Sequence, residues 1–445
     1  MIDTIVARAT PPGRGGVAIV RLSGPQAGPI ATAIGGELPT PRHAALRTFV
    51  DAQGNAIDSG LLLYFAAPNS FTGEAVVELQ CHGGPLVVDA LLSQAIELGA
   101  RLAEPGEFSQ RAFLNDRIDL AQAEAIADLI DASSQQAVRG AQRVLQGDFS
   151  AQIHQLTDKL IALRIYIEAA LDFPEEEDDF LADQSVKDQL VALISDCDQL
   201  TESVHQGQLL RDGIKVVIGG SPNVGKSTLL NALSGQQRAL VTDIAGTTRD
   251  LIKESILIDG MPLEIIDTAG LRETDDPVEQ AGIALAEQAI SSADLVLFIT
   301  TADNIDVDSS KFKQLAPEAA IIQVVNKIDL RADSPHSEHQ AGYQRVYLSA
   351  KTGAGLPLLR QKIAEIAGFR PAEEGVFIAR RRHLDALNKT AQAISDGNQS
   401  LLKYGAGELL AEELRLAQQF LAEITGEFSS DDLLGEIFSS FCIGK

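Results

Sequence analysis

The chain is short of several things, and each shortage removes a class of protein. Its 445 residues hold no tryptophan, two methionines and three cysteines. Cys81, Cys197 and Cys442 stand too far apart for the disulfide framework of a small secreted module or for a zinc site. Basic residues are outnumbered, 36 Lys and Arg against 62 Asp and Glu, for a formal charge of −26. Nucleic-acid surfaces draw their affinity from clustered Lys and Arg, so this balance argues against a broad one; a local basic face or a partner can still bring RNA. No tract approaches the roughly 18 apolar residues of a membrane span. The start, Met1-Ile2-Asp3-Thr4-Ile5-Val6, lacks the basic region and apolar core of a secretory leader. The expectation is a soluble, cytoplasmic protein without a membrane partner, with room for roughly three domains of about 150 residues each.

Against that background one stretch stands out. Gly220-Ser221-Pro222-Asn223-Val224-Gly225-Lys226-Ser227 fits G-x-x-x-x-G-K-[ST]. An apolar run, Ile214 to Ile218, precedes it as a predicted strand, and Thr228 to Leu233 follows as a predicted helix. Polyphosphate needs this order. Successive backbone N–H groups and the positive helix end cradle anionic oxygens, Lys226 reaches the β- and γ-phosphates, and the Ser227 hydroxyl ligates Mg²⁺. Three further elements follow in the order of a guanine-nucleotide switch. Asp267-Thr268-Ala269-Gly270 comes after the apolar segment Leu263 to Ile266, placing a carboxylate near the metal and a glycine N–H near the γ-phosphate. Asn326-Lys327-Ile328-Asp329 follows the strand-like run Ile321 to Val325 and matches N-K-x-D, whose aspartate accepts from guanine. Ser349-Ala350-Lys351 matches the loop that closes over the base. An isolated Asn-Lys-x-Asp is a surface turn; four ordered elements are a GTP-binding domain.

The switch region is unusual. Gly246-Thr247-Thr248-Arg249-Asp250 offers Thr248 to complete the Mg²⁺ shell, but Leu271 stands where Ras-like GTPases carry the glutamine that orients the attacking water. Leucine makes no hydrogen bond, so help must come from an arginine (Arg249 or Arg272), an external activator or a bound monovalent cation. Asn223 favours the cation: its amide oxygen can help hold K⁺ between the phosphates, with carbonyls of Thr242-Asp243-Ile244-Ala245-Gly246-Thr247 completing the shell. The alternative is that Asn223 only packs the loop.

Elsewhere the pattern is helical. Apolar residues recur at spacings of three and four at Ile153, Leu156, Leu160, Leu163, Ile167 and Ala170, and again from Val186 to Val204. The same rhythm returns at Leu384, Leu387, Ala391 and Ile394, then from Leu410 to Ile424. Two such helices before the P-loop domain and two after it predict one helical bundle with the GTPase inserted. The acidic run 172–179 reads as a solvated linker, and Cys197, on a core stripe, as a buried apolar residue. The first 117 or so residues mix signals. Val17 to Leu22, Leu61 to Phe65 and Val76 to Leu79 predict strands, Leu86 to Leu98 a helix, and Pro11 to Gly16 a constrained loop. Arg21 and Glu78, single charges in apolar strands, read by themselves as a strand-edge ion pair. The fold class is α/β multidomain: an α+β N-terminal domain (1–117), a helical domain in two parts (118–210 and 371–445), and an inserted P-loop, Ras-like GTPase domain (211–370).

Several local motifs carry a resemblance that spacing alone does not explain. They are 9–16 (ATPPGRGG), 68–74 (PNSFTGE), 111–116 (RAFLND), 119–124 (DLAQAE), the four GTPase elements and the tail Phe441-Cys442-Ile443-Gly444-Lys445. With these the chain resembles, from end to end, the MnmE (TrmE) family of tRNA-modification GTPases. The resemblance implies a homodimer made by the N-terminal domain and a heterotetramer with an FAD-dependent partner of the MnmG (GidA) type, FAD being bound by the partner only. It implies addition of a carboxymethylaminomethyl or aminomethyl group to C5 of wobble uridine 34 in certain tRNAs. The one-carbon unit would come from a tetrahydrofolate derivative (5-formyl- or 5,10-methylene-type) at Arg21, Glu78, Arg117 and Lys445. The family pattern has lysine at position 117; arginine keeps the charge but presents a planar fork. The resemblance also implies K⁺ on Asn223, Thr242, Ile244 and Thr247, G-domain dimerisation during turnover, and Glu279 as the carboxylate that orients the attacking water. A helix-start carboxylate after Pro277 is the plainer reading of Glu279. Cys442 has two readings, a thiolate that attacks uracil C6 or handles a one-carbon intermediate, and a structural cysteine, since only Lys445 is at hand to lower its pKa. An assembly GTPase of the Era or Der kind shares the P-loop and G-T-T-R-D region but not the outer motifs. A scaffold whose partner does the chemistry is the other alternative, and the sequence leaves it open.

Overall fold

The computed structural model describes residues 3–172, 184–235, 253–267, 291–305, 314, 316–331, 333–340, 343–370, 375–427, 431–441 and 443–444. In chain order the strands are β1 (Ile5–Arg8), β2 (Gly15–Ser23), β3 (Ala45–Val50), β4 (Ala56–Phe65), β5 (Val76–Gly83), β6 (Arg101–Leu102) and β7 (Ile214–Gly220). They continue with β8 (Lys253–Ile258), β9 (Met261–Asp267), β10 (Leu295–Thr301), β11 (Ala320–Asn326), β12 (His336–Gln340) and β13 (Tyr343–Tyr347). The helices are α1 (Ala27–Gly35), α2 (Pro85–Glu97), α3 (Glu107–Leu114), α4 (Leu120–Asp131), α5 (Gln135–Leu145) and α6 (Asp148–Asp172). After them come α7 (Gln184–Asp212), α8 (Lys226–Ser234), α9 (Leu356–Ala367), α10 (Arg381–Tyr404), α11 (Gly407–Thr425) and α12 (Asp431–Ser439). Contacts divide the chain into two compact units: Met1–Ala127 with Leu145–Ala182 and Asp396–Lys445, and Asp128–Val144 with Asp183–Ser395.

The first unit is built on a six-stranded sheet of order β3-β4-β5-β2-β1-β6, antiparallel except for the β1–β6 pair. Successive side chains of a strand point to opposite faces. Ala18, Val20 and Leu22 of β2 and Val77, Leu79 and Cys81 of β5 therefore share one core with Ile30 and Ile34 of α1 and Leu91 of α2. The intervening residues, Ile19 and Arg21 with Glu78, Gln80 and His82, lie on the other face. There Phe108 of α3 joins Ile5 and Ala7 of β1 in a smaller cluster, which covers the β1 side. Helices α6 and α11 pack along the stripes expected of them: Ile153, Leu156, Leu160, Leu163 and Ile167 are buried, as are Leu410, Leu414, Ala417, Leu421 and Ile424. His154 near the start of α6 meets Glu427 just past the end of α11 at 3.6 Å, so the pair is antiparallel.

The second unit holds a seven-stranded sheet of order β12-β13-β11-β10-β7-β9-β8. Its five inner strands are parallel, and the outer pairs β8–β9 and β12–β13 are antiparallel. A parallel strand covered on both faces reads as a continuous apolar run, and β10 and β11 do so, buried at nearly every position. The edge strand β12, His-Ser-Glu-His-Gln, is polar, which protects an exposed ladder from pairing with other chains. Helix α7 gives Cys197 a buried place, its thiol 3.5 Å from the Leu387 carbonyl of α10. Burial pushes that thiol up to about 11. Gly207 of α7 is required by a close crossing: a Cβ there would stand 1.6 Å from the Phe377 carbonyl oxygen. The acidic run beyond Asp172 lies outside the described residues.

Candidate functional sites

The five parallel strands of the second unit end on one edge of the sheet, where open α/β sheets bind their ligands. Strand β7 enters the phosphate loop at Gly220, whose φ of +143° and approach to the Ile299 carbonyl of β10 leave no room for a Cβ (2.2 Å). Asn223 is left-handed at φ +63°, and Gly225 at φ +100° is the N-cap of α8. A Cβ on Gly225 would meet Asn326 Nδ2 at 2.4 Å, so only glycine lets the second loop lie against the first. Lys226 Nζ donates to the carbonyls of Gly220 (2.9 Å) and Ser221 (3.1 Å), which curls the lysine over the loop. Ser227 and Thr228 are exposed on the first turn of α8, and Val224 is buried beneath.

Asn326 ties three elements together. Its Nδ2 donates to the Val224 carbonyl at 2.9 Å. Its Oδ1 accepts from the backbone N–H of Lys327 at 2.8 Å and of Ala350 at 2.9 Å. Lys327, left-handed at φ +68°, donates from Nζ to the Asn223 carbonyl at 2.6 Å. Ile328 is buried, with its N–H on the Leu348 carbonyl at 3.3 Å, and Asp329 is exposed, its carboxylate open to a ligand. Buried Ser349 accepts on Oγ from the Thr352 N–H at 3.3 Å and shapes the loop that carries Lys351. Asp267 ends β9 opposite Ile218 of β7, beside the phosphate loop.

These residues fit a guanine nucleotide with Mg²⁺. The glycines of the loop are places where a Cβ would collide, Lys226 and the α8 N-terminus supply positive charge, and Ser227 is exposed. Thr242, Asp243, Ile244, Ala245, Gly246, Thr247, Thr248 and Arg249 lie outside the described residues. So do Thr268, Ala269, Gly270, Leu271, Arg272, Glu279, Cys442 and Lys445, and of Asp267 only the backbone is described.

In the first unit Arg21 and Glu78 face each other across β2 and β5, with Nε and Nη2 of the arginine each 2.9 Å from Glu78 Oε1. Both strands are interior to the sheet, so the pair is not at a strand edge, as its isolated charges suggested; the crossing of two central strands puts it mid-face. The Arg21 guanidinium also stands 5.8 Å from the Phe108 ring centre and donates from Nη1 to the Gly444 carbonyl at 3.3 Å. The C-terminal tail reaches this place within one chain. Ile443 bridges Pro105, Phe441 and Phe438 pack edge to face, and Gly444 at φ +96° passes so near the Arg8 carbonyl that a Cβ would sit 2.2 Å from it. Arg117 is exposed just past α3, its side-chain stem near Gly73. Thus Arg21, Glu78 and the residue before Lys445 come together, whereas Arg117 lies on the loop that follows α3.

A model of the MnmE helical domain matches residues 120–442, and one of the GTP-binding protein TrmE N-terminus matches residues 4–117. The chain is 56% identical over 450 aligned residues to the tRNA modification GTPase MnmE of Yersinia pestis bv. Antiqua (strain Angola), covering 100% of this chain and 99% of that one. The tRNA modification GTPase MnmE of Pseudomonas aeruginosa (strain UCBPP-PA14) is similar to the same extent, 56% over 100% and 99%. Among solved structures, that of an Aquifex aeolicus Era variant bound to GDP·AlF4⁻ is 27% identical, covering 40% of this chain and 66% of that one, with a TM-score of 0.27. The chain belongs to the MnmE family.

Two motifs that marked the MnmE family without an evident role acquire one from the fold. Glu74 and Arg111 meet at 3.1 Å, and Arg111 also binds Glu107 at 2.9 Å and Asp3 at 2.7 Å. Ser23 donates to Glu74 at 2.7 Å, and Asn115 donates to the Thr72 carbonyl at 2.7 Å. Burial works to raise the Glu107 carboxyl, but Arg101, the Glu104 N–H and Arg111 outweigh it and hold the group below the usual carboxylate range. The 68–74 loop and the 111–116 helix end are thus one polar lattice behind β2. Asp128 is a second unforeseen residue: its buried carboxylate accepts from Arg211 Nε at 2.9 Å and Arg380 Nη2 at 3.1 Å. It pins the chain three residues before β7 to the chain just before α10. No local signal marks it, since its partners lie 83 and 252 residues away.

Proposed function

We propose that the chain is a K⁺-dependent GTPase that acts, with an FAD-dependent MnmG-type partner, on wobble uridine 34 of certain tRNAs. It adds a carboxymethylaminomethyl or aminomethyl group at C5, using the one-carbon unit of a tetrahydrofolate derivative. The observation that carries the GTPase part is the Asn326 knot, which holds the phosphate loop, the N-K-x-D element and the Ser349 loop in one rigid cradle. The tRNA part rests on the family, whose members named above are tRNA modification GTPases.

In this reading residues 1–117 bind folate and dimerise, 211–370 form the GTPase domain, and 118–210 with 371–445 form the helical domain. Lys226 and the α8 N-terminus bind phosphate, Asp329 selects guanine through its N1–H and amine, and Ser227 with Thr248 holds Mg²⁺. Bound Mg²⁺ and K⁺ supply positive charge at the phosphates, and Glu279 orients the attacking water in place of the glutamine that Leu271 replaces. The left-handed φ of Asn223 is one that glycine, asparagine and aspartate visit readily, so the backbone by itself accounts for part of that choice. Its exposed amide is free to add a K⁺ contact, with Thr242, Ile244 and Thr247 as the other ligands. At the second site Arg21 and Glu78 form a donor–acceptor pair suited to a pterin edge, and Cys442 and Lys445 are assigned to the same reaction by the family resemblance alone.

The test is mass spectrometry of wobble nucleosides in tRNA from a cell lacking this protein, with wild-type or Lys226→Ala copies restored. Loss of 5-carboxymethylaminomethyl- and aminomethyl-type uridines, reversed only by wild type, supports the reading. Persistence of those nucleosides in the deletion, with no second copy present, sinks it and leaves an RNA-assembly GTPase in front. Asn223→Gly, which keeps the left-handed backbone and removes the amide, is expected to abolish the rate difference between KCl and NaCl; an unchanged difference removes Asn223 from the cation site.

A further inference from the structure

The face of the N-terminal sheet that carries Arg21 and Glu78 has a second polar group that the proposed reaction does not use. The β4–β5 ladder ends at Leu61 and Gln80, where Gly60 passes so near that a Cβ would stand 1.9 Å from the Gln80 carbonyl oxygen. Past that point the Asp58 carboxylate takes over. Its Oδ2 accepts the His82 backbone N–H at 2.7 Å, and its Oδ1 lies 2.8 Å from His82 Nδ1. The carboxylate is nearly buried, with 12% of its side chain exposed, whereas His82 is 73% exposed. Burial works to raise the Asp58 carboxyl, but the backbone and ring of His82 outweigh it and the group is held below its ordinary value. An ionised carboxylate only accepts, so Nδ1 carries the proton and Nε2 is turned to solvent.

Closing the end of the ladder explains the backbone bond. It does not require an imidazole at position 82, nor a ring held in one orientation with its outer nitrogen exposed. His82 and Glu78 share the face of β5, four residues and about 13 Å apart at ~3.3 Å per residue. Between them lie Gln80, Ile19 and Leu61, which stand opposite one another across β5, β2 and β4. The result is a strip with a guanidinium–carboxylate pair at one end, an oriented histidine at the other and a flat apolar and amide surface in the middle.

We infer that this strip binds an elongated ligand, its hydrogen-bonding head on Arg21 and Glu78 and its anionic tail on His82 Nε2. This rests on the folate reading above and deepens it: the head is the pterin and the tail a glutamate carboxylate. To donate to that carboxylate while Nδ1–H stays on Asp58, His82 must carry a second proton. The other charges felt at this end of β5 are Asp58 and Arg8, both of which act on neighbouring Cys81.

The experiment is calorimetric titration of the full chain at pH 7.5. The probes are 5-formyltetrahydrofolate and 5-formyltetrahydropterin, which lacks the aminobenzoylglutamate tail. Wild type is expected to bind the long probe about tenfold more tightly than the short one. His82→Ala and His82→Gln, both at an exposed position, should weaken the long probe about tenfold and leave the short probe unchanged. Glu78→Gln should weaken both probes. Binding of the long probe by both His82 variants as by wild type overturns this inference and leaves the folate reading standing. Failure of wild type to bind the long probe overturns both.

Discussion

Replacing Asn326 by alanine tests the central claim about the nucleotide site. The residue is only 3% exposed, and its side chain makes three hydrogen bonds. Two of these, to the Val224 carbonyl and from the Ala350 N–H, are themselves buried, while the Lys327 N–H is partly open to water. A buried group left without its partner costs about 1–3 kcal/mol, so the two together cost about 2–6 kcal/mol if the loops hold their places. The loops will instead relax in the empty protein and must be re-ordered when the nucleotide binds. The cost then falls on affinity, and at 1.4 kcal/mol per factor of ten even its lower end is a loss of roughly 30-fold. The assay is titration of a fluorescent GDP analogue into the full chain, with the thermal midpoint measured alongside. Asn326→Asp keeps the acceptor for Ala350 but sets a buried carboxylate oxygen against the Val224 carbonyl, so it should bind no better than alanine. An alanine variant within threefold of wild type would show that the three elements are not held through Asn326.

Four other outcomes follow from the same geometry. Gly207→Ala puts a methyl against the Phe377 carbonyl and should cost about 3 kcal/mol or more; a thermal midpoint within about 1 °C of wild type contradicts the close crossing. Asp128→Ala removes the shared acceptor of Arg211 and Arg380 and should cost about 1–3 kcal/mol in urea unfolding, below the range for fully buried pairs because Arg211 is 32% exposed. Glu107, whose carboxyl is held below 4.5, contributes stability that is present above about that pH and is lost as pH falls through its lowered value. Arg111→Met should therefore flatten the acid limb of a stability-versus-pH curve, and an unchanged limb rejects the lattice as its source. Burial raises the Cys81 and Cys197 thiols, so the native protein at pH 8 should react with a thiol reagent at Cys442 at most, and at all three cysteines once unfolded. Fast labelling of Cys197 in the native state would mean that the α7–α10 contact opens.

The sequence by itself determined what depends on near neighbours. A phosphate loop is a run of consecutive backbone amides, so its glycines, Lys226 and Ser227 are legible as a string, and so are the flanking strand and helix. The stripes on α6, α7, α10 and α11 are equally local, since helix period and burial go together over a few turns. Asn326 was legible as part of N-K-x-D, but not as the knot between loops, because Val224 lies 102 residues away. Tertiary structure decided everything made by distant pairing. It turned the 68–74 and 111–116 motifs into one lattice around Arg111, put Arg21 and Glu78 mid-sheet, brought Gly444 to Arg21 and set Asp58 behind His82. The separations in those last three contacts are 57, 423 and 24 residues. Periodicity assigns each of those residues to a face of its own element; only the order of strands in the sheet and the return of the tail decide which faces meet.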